Sequence, residues 1–132
     1  MKGLLRKAVL AFLIMCGVPS LGLSALFLDP SLKFETIETS HFLIHFHQGE
    51  KGLAGRIAVI AEEVHERLSP LMAWSPTAKT HILILDISDE ANGMATPFPY
   101  NAVVILVSQP RPEDSISFYD DWLRMVFVHE YT

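Results

Sequence analysis

The residues best equipped for chemistry are His129 and Glu130, in the run Phe127-Val128-His129-Glu130-Tyr131-Thr132. In a helix, positions i and i+4 lie on one face. The spacing His-Glu-x-x-His therefore lets two imidazoles converge on one zinc ion. It also sets the glutamate at i+1 beside the open side of the metal, where it can take a proton from the attacking water. His129 holds the first ligand position and Glu130 the general-base position, with Tyr131 and Thr132 as the two spacers. The second histidine would be residue 133. Without it the pair is an ordinary polar helix end, so the surrounding sequence has to discriminate between the two.

Other chemical candidates are sparse. His45 and His47 stand two apart on one strand, with His41 nearby. Such a pair either binds a metal or lines a solvated strand face. His65 falls beside Glu62, Glu66 and Ser69, a surface salt-bridge position, and His81 opens a strand with no evident partner. Asp86, Asp89 and Glu90 lack the glycine and distal glutamate of a calcium loop. There is no Ser/His/Asp order, no glycine-rich phosphate loop and no Cys-x-x-Cys.

The elements that must position these residues follow from periodicity. Lys33 to Glu38 and His41 to His47 read as strands, the second with Phe42, Ile44 and Phe46 on one face. From Lys51 the period changes: Leu53, Ile57, Ile60, Ala61, Val64, Leu68 and Leu71 mark an amphipathic helix that Pro70 kinks or ends. Lys79 to Ile87 is an inner strand, apolar on both faces. Ser88 to Tyr100, rich in turn formers, reads as a loop. Asn101 to Ser108 is a fourth strand, and 109–117 a second loop. A last helix starts near Asp120-Asp121, whose carboxylates suit a helix N-terminus. Trp122, Met125, Val126 and His129 then share its inward face. The expected architecture is α+β: a mixed or antiparallel four-stranded sheet with helices packed on it.

The 132 residues, half of them hydrophobic, suffice for one small domain. Lys2, Arg6 and Lys7 precede an apolar run from Ala8 to Leu23. That layout is a secretory signal, residues 1–24, with small residues Gly22 and Ser24 before a cut at Ala25, or else an uncleaved anchor formed by residues 8–23. The chain is then exported, periplasmic or extracellular, or held at the inner membrane. The lone cysteine, Cys16, lies in this segment, so no internal disulfide forms. Removing the leader takes away three positive charges and shifts the formal charge from −5 to −8. Such an acidic domain excludes nucleic acid as a partner and offers no basic patch to anionic lipid.

The order of segments from Phe34 to Thr132 resembles the N-terminal half of gluzincin-type, peptidase MA-like domains. The resemblance is carried by Phe34 to Phe46, the helix Ile57 to Leu71, Ile82-Leu83-Ile84-Leu85-Asp86, Asn92-Gly93-Met94-Ala95, and Trp122 to Thr132. It implies that 25–132 is part of a zincin-like fold in a zinc-dependent peptidase acting on a peptide or protein substrate. His129 would be a zinc ligand and Glu130 the catalytic base. The second histidine and a later glutamate ligand would lie beyond Thr132, so residues 1–132 would be inactive alone. Further domains such as a β-propeller often follow in this family. The resemblance also makes Asn101, Ala102 and Val103 the start of an edge strand that binds substrate by strand addition. The alternative is a non-enzymatic exported module that uses this edge strand to bind peptides.

Overall fold

The computed structural model describes residues 29–89, 91–108 and 121–132. The leader and its cleavage point, Cys16, the loop at 109–117 and Asp120 lie outside the described residues. Among the described residues seven elements follow in order: β1 (Phe34–Glu38), β2 (Phe42–His47), α1 (Lys51–Met72), β3 (Thr80–Leu85), β4 (Ala91–Thr96), β5 (Ala102–Val107) and α2 (Trp122–Tyr131).

The strands form one mixed sheet in the order β1-β2-β3-β5-β4. A short turn suffices between antiparallel β1 and β2. Thr39 closes it: its N–H donates to the Phe42 carbonyl at 3.0 Å, and its hydroxyl accepts from the Phe42 N–H at 3.1 Å. Strands β2 and β3 are parallel, so the chain must cross over between them, and the 22-residue α1 is that crossover. Gly49, at φ 100°, turns the chain into the helix in a backbone conformation that side chains disfavour. At the far end Pro70 lies inside the last turn, and the helix stops two residues later. Ala73 adopts the left-handed conformation there, and the Trp74 N–H donates to the Ser69 carbonyl at 3.3 Å.

Five strands form where four were expected. Ala91–Thr96, read from its composition as loop, pairs antiparallel with β5, Asn92 opposite Leu106 and Gly93 opposite Ile105. Its residues have little strand propensity of their own, and the ladder to β5 supplies what composition does not. β4 also moves the sheet's edge. β5 is hydrogen-bonded to β3 on one side and β4 on the other, so Asn101 to Val103 do not begin an edge strand.

Both helices lie on one face of the sheet. Phe42, Ile44, Phe46, Ile82, Ile84, Val103 and Ile105 project from alternate strand positions into one cluster with Ala54, Ile57, Ala61, Val64, Leu123 and Phe127. Phe127 is fully buried, edge-on to Phe42 with ring centroids 5.8 Å apart. Among the described residues no helix is long and apolar enough to cross a membrane. Phe127→Ala should lower stability by about 3–5 kcal/mol, measurable as a fall in the urea midpoint at unchanged slope.

Candidate functional site

α2 begins as its sequence suggests. Asp121 is the N-cap, its carboxylate accepting the Arg124 N–H at 3.2 Å. Asp121 also accepts from the Arg56 guanidinium at 2.9 Å, and Arg124 donates to Glu63, so two ion pairs tie α2 to α1. The helix is rotated relative to the expected face. Leu123, Val126 and Phe127 are buried, whereas His129 is exposed. The reason is angular: at 100° per residue His129 lies about 200° round the axis from Phe127, away from the sheet. Glu130 and Tyr131, three and four residues after Phe127, stay on the sheet side.

Glu130 reaches that side because Gly93 lies beneath it. A Cβ on Gly93 would stand 2.7 Å from Glu130 Cγ and 2.7 Å from Val126 Cγ1, closer than packed carbons approach. The absent side chain thus lets α2 sit directly on the edge strand. Asn92-Gly93, expected as a turn, is instead the contact point between β4 and α2. Next to it is a pocket of about 220 Å3, walled by Trp74, Pro76, Ala102, Val103, Glu130 and Tyr131. Asn101 lines it too. Glu130 and the segment Asn101 to Val103, 27 or more residues apart in sequence, therefore meet at one cleft, and His129 is not among its walls.

Tyr131 is a structural spacer with a polar partner that the sequence did not reveal. Its hydroxyl lies 2.7 Å from His65 Nδ1, and its ring stacks on Phe127 with centroids 5.4 Å apart. Burial, aided by the charge on Glu62, pushes the Tyr131 phenol up to about 12. His65 is not at the surface, as its acidic neighbours suggested; it is 7% exposed and stacks on His41 at 3.8 Å. Burial lowers its pKa, the nearby His41 lowers it further, and Glu62 and Glu66 oppose both. Glu62 accepts from the His41 N–H at 2.9 Å and contacts His41 Nδ1 at 2.7 Å. Burial alone would raise the Glu62 carboxyl, but hydrogen bonds from His41 and Thr39 outweigh it and hold the group at about 2. A clue was available in sequence: His65 directly follows Val64 of the apolar stripe, close enough in angle to be drawn towards the second helix, where it meets Tyr131.

The remaining histidines separate by partner. His47 Nε2 accepts the Asp86 N–H at 3.2 Å, so its proton sits on Nδ1, which donates to the Gln48 carbonyl at 3.0 Å. Both ring nitrogens of His47 are thus engaged with backbone, and it is no partner for His45. His45 pairs instead with His81, 36 residues away. Among the described residues no group of three or more His, Cys, Asp or Glu is placed to hold a metal ion. His129 can supply one imidazole, which is short of a zinc-binding set.

Comparison with protein-family models, with characterised proteins and with solved structures finds no match. The chemistry of the site must therefore carry the functional reading. Gly93→Ala should cost about 1–3 kcal/mol, because Val126 is buried and cannot swing aside; chemical denaturation of the purified variant measures it. Glu62→Gln should lower stability by about 1 kcal/mol at pH 6, the modest figure reflecting its half-exposed histidine partner. The Glu62 carboxyl is depressed in the folded state, so its contribution is present above the ordinary value of 4.5 and fades as pH falls towards 2. The two urea midpoints should accordingly converge below pH 4.5.

Proposed function

We propose that the chain is the N-terminal part of an exported zinc-dependent metallopeptidase of the gluzincin type, with a zincin-like fold. One observation carries this reading. Glu130 lies on a helix seated directly over the antiparallel edge strand β4, at the glycine that permits the close approach, and faces an apolar cleft. A base placed there stands beside any peptide that adds to the sheet as a sixth strand.

The roles of the residues follow. Among the described residues β4 has no strand on its outer side, so that edge is open to an extended substrate, which would have to displace the Asn92 side chain from the Gly93 N–H, 2.8 Å away. This job, assigned from sequence to Asn101 through Val103, passes to Ala91–Thr96. Asn101, Ala102 and Val103 help wall the cleft that would receive a substrate side chain. Glu130 takes the proton from the attacking water and hands it on to the leaving amine. On this reading His129, exposed on α2, would be the first metal ligand. Zinc, when bound, would polarise the scissile carbonyl and lower the pKa of water.

A catalytic zinc site takes three protein ligands, so residues 1–132 alone should show no turnover of peptide substrates with added zinc. The reading requires a histidine encoded directly after Thr132. A chain extended through the next helix should then cleave peptides when zinc is supplied, and Glu130→Gln should reduce kcat by about 10²–10⁴-fold. A different residue at that position, or full activity in the glutamine variant, contradicts it.

A further inference from the structure

One end of the domain is apolar and uncovered. β2, β3 and β5 run the same way and β4 runs against them, so the start of β3, the start of β5 and the end of β4 share one end of the sheet. The crossover helix α1 must return to that end to feed β3. Five large apolar side chains stand exposed there. Leu71 and Met72 lie in the last turn of α1 and Trp74 just after it, and Phe98 and Tyr100 lie between β4 and β5. Leu71 is 80% exposed, Phe98 83% and Trp74 62%, so none of the three is packed into the core. The two segments adjoin, because Trp74 and Pro97 wall the same cleft. Neither segment, residues 69–78 or 95–102, contains an Asp, Glu, Lys or Arg. Lys79, the first charge after the α1 segment, is already paired with Glu38 at 2.6 Å.

We propose that this end docks on a lipid bilayer of no net charge, with Leu71 and Phe98 entering the acyl layer and Trp74 and Tyr100 at headgroup level. The proposal does not rest on the peptidase reading. Apolar side chains exposed singly are ordinary, whereas a cluster of them marks an interaction surface. The backbone favours lipid over a protein partner. In lipid an N–H or C=O without an internal partner is costly, while a protein partner can pair such groups. Pro97 and Pro99 have no N–H to leave unpaired. Between them the Phe98 N–H donates to the Thr96 hydroxyl oxygen at 3.2 Å, and the Phe98 carbonyl accepts from the same hydroxyl at 2.9 Å. In the other segment the Ala73 and Trp74 N–H groups donate to the Pro70 and Ser69 carbonyls at 3.4 and 3.3 Å. The most exposed residues thus offer side chains and keep these backbone groups to themselves. Charge selects the kind of membrane. Anionic lipid is recognised by clustered Lys and Arg, which both segments lack.

Phosphatidylcholine vesicles brominated on the upper acyl chain test this, because bromine quenches a tryptophan only on contact. The full chain should lose Trp74 emission when these vesicles are added. Trp74→Phe should remove the quenching, since Trp122 packs against the core and keeps its emission. The readout is local, so an apolar run at residues 8–23 embedded in the same bilayer does not imitate it. Leu71→Ser and Phe98→Ser, both at exposed positions outside the core, should each raise the lipid concentration needed for half-maximal quenching by about tenfold. The quenching should persist at high salt. No quenching in the parent, unchanged quenching in the two serine variants, or quenching that requires anionic lipid and vanishes in salt would each overturn the proposal. Dimerisation in sedimentation velocity that the serine variants abolish, without quenching by vesicles, would overturn it too and assign the surface to a second copy.

Discussion

Two helices share one face of a five-stranded sheet, and the outer one can lie where it does because Gly93 carries no side chain. A ten-residue helix is too short to hold itself together in water. α2 is stable only through the face it buries, and that face is Leu123, Val126 and Phe127. Val126 and Glu130 both occupy the volume a Cβ at position 93 would take. The glycine therefore couples the edge of the sheet to the helix, and the same contact brings Glu130 to the cleft. Fold and site depend on one missing methyl group.

Magnitudes rank the forces that hold α2. The ion pairs Arg56–Asp121 and Arg124–Glu63 are largely solvated, and such pairs contribute up to about 1 kcal/mol each. Burial of Phe127 against Phe42 and Tyr131 contributes several times more. The apolar layer thus decides where the helix sits, and the charged pairs adjust it. The polar group formed by His41, Glu62, His65 and Tyr131 adds rotational definition, because the Tyr131–His65 contact is formed in only one helix rotation. His129 then faces outward as a consequence of that rotation.

Elements with strong periodicity were legible in the sequence: β1, β2, α1, β3, β5 and α2 all lie where alternation or helical spacing puts them. The Asp121 cap was legible for the same local reason. β4 was not, because Asn92-Gly93 is turn chemistry by composition, and only the ladder to β5 makes it a strand. The sheet order was equally hidden, and with it the true edge. Pairing of His45 with His81 depends on parallel register across a crossover helix, which no local pattern encodes. His47 looked like the natural partner by spacing, but its nitrogens are taken by backbone groups that sequence cannot place. That Glu130 and Asn101 through Val103 line one cleft depends on the sheet order and the seat of α2, which no local pattern encodes. The outward turn of His129 was hidden as well, since the expected face was centred on Met125 and Val126 rather than on Phe127.

The contact between α2 and the edge strand holds fold and cleft together. Nuclear Overhauser spectroscopy of the isotope-labelled chain reads it directly. The Gly93 α-protons should give strong cross-peaks to a Val126 methyl group and to the Glu130 side-chain methylene. A folded protein in which Gly93 shows neither cross-peak would contradict the account.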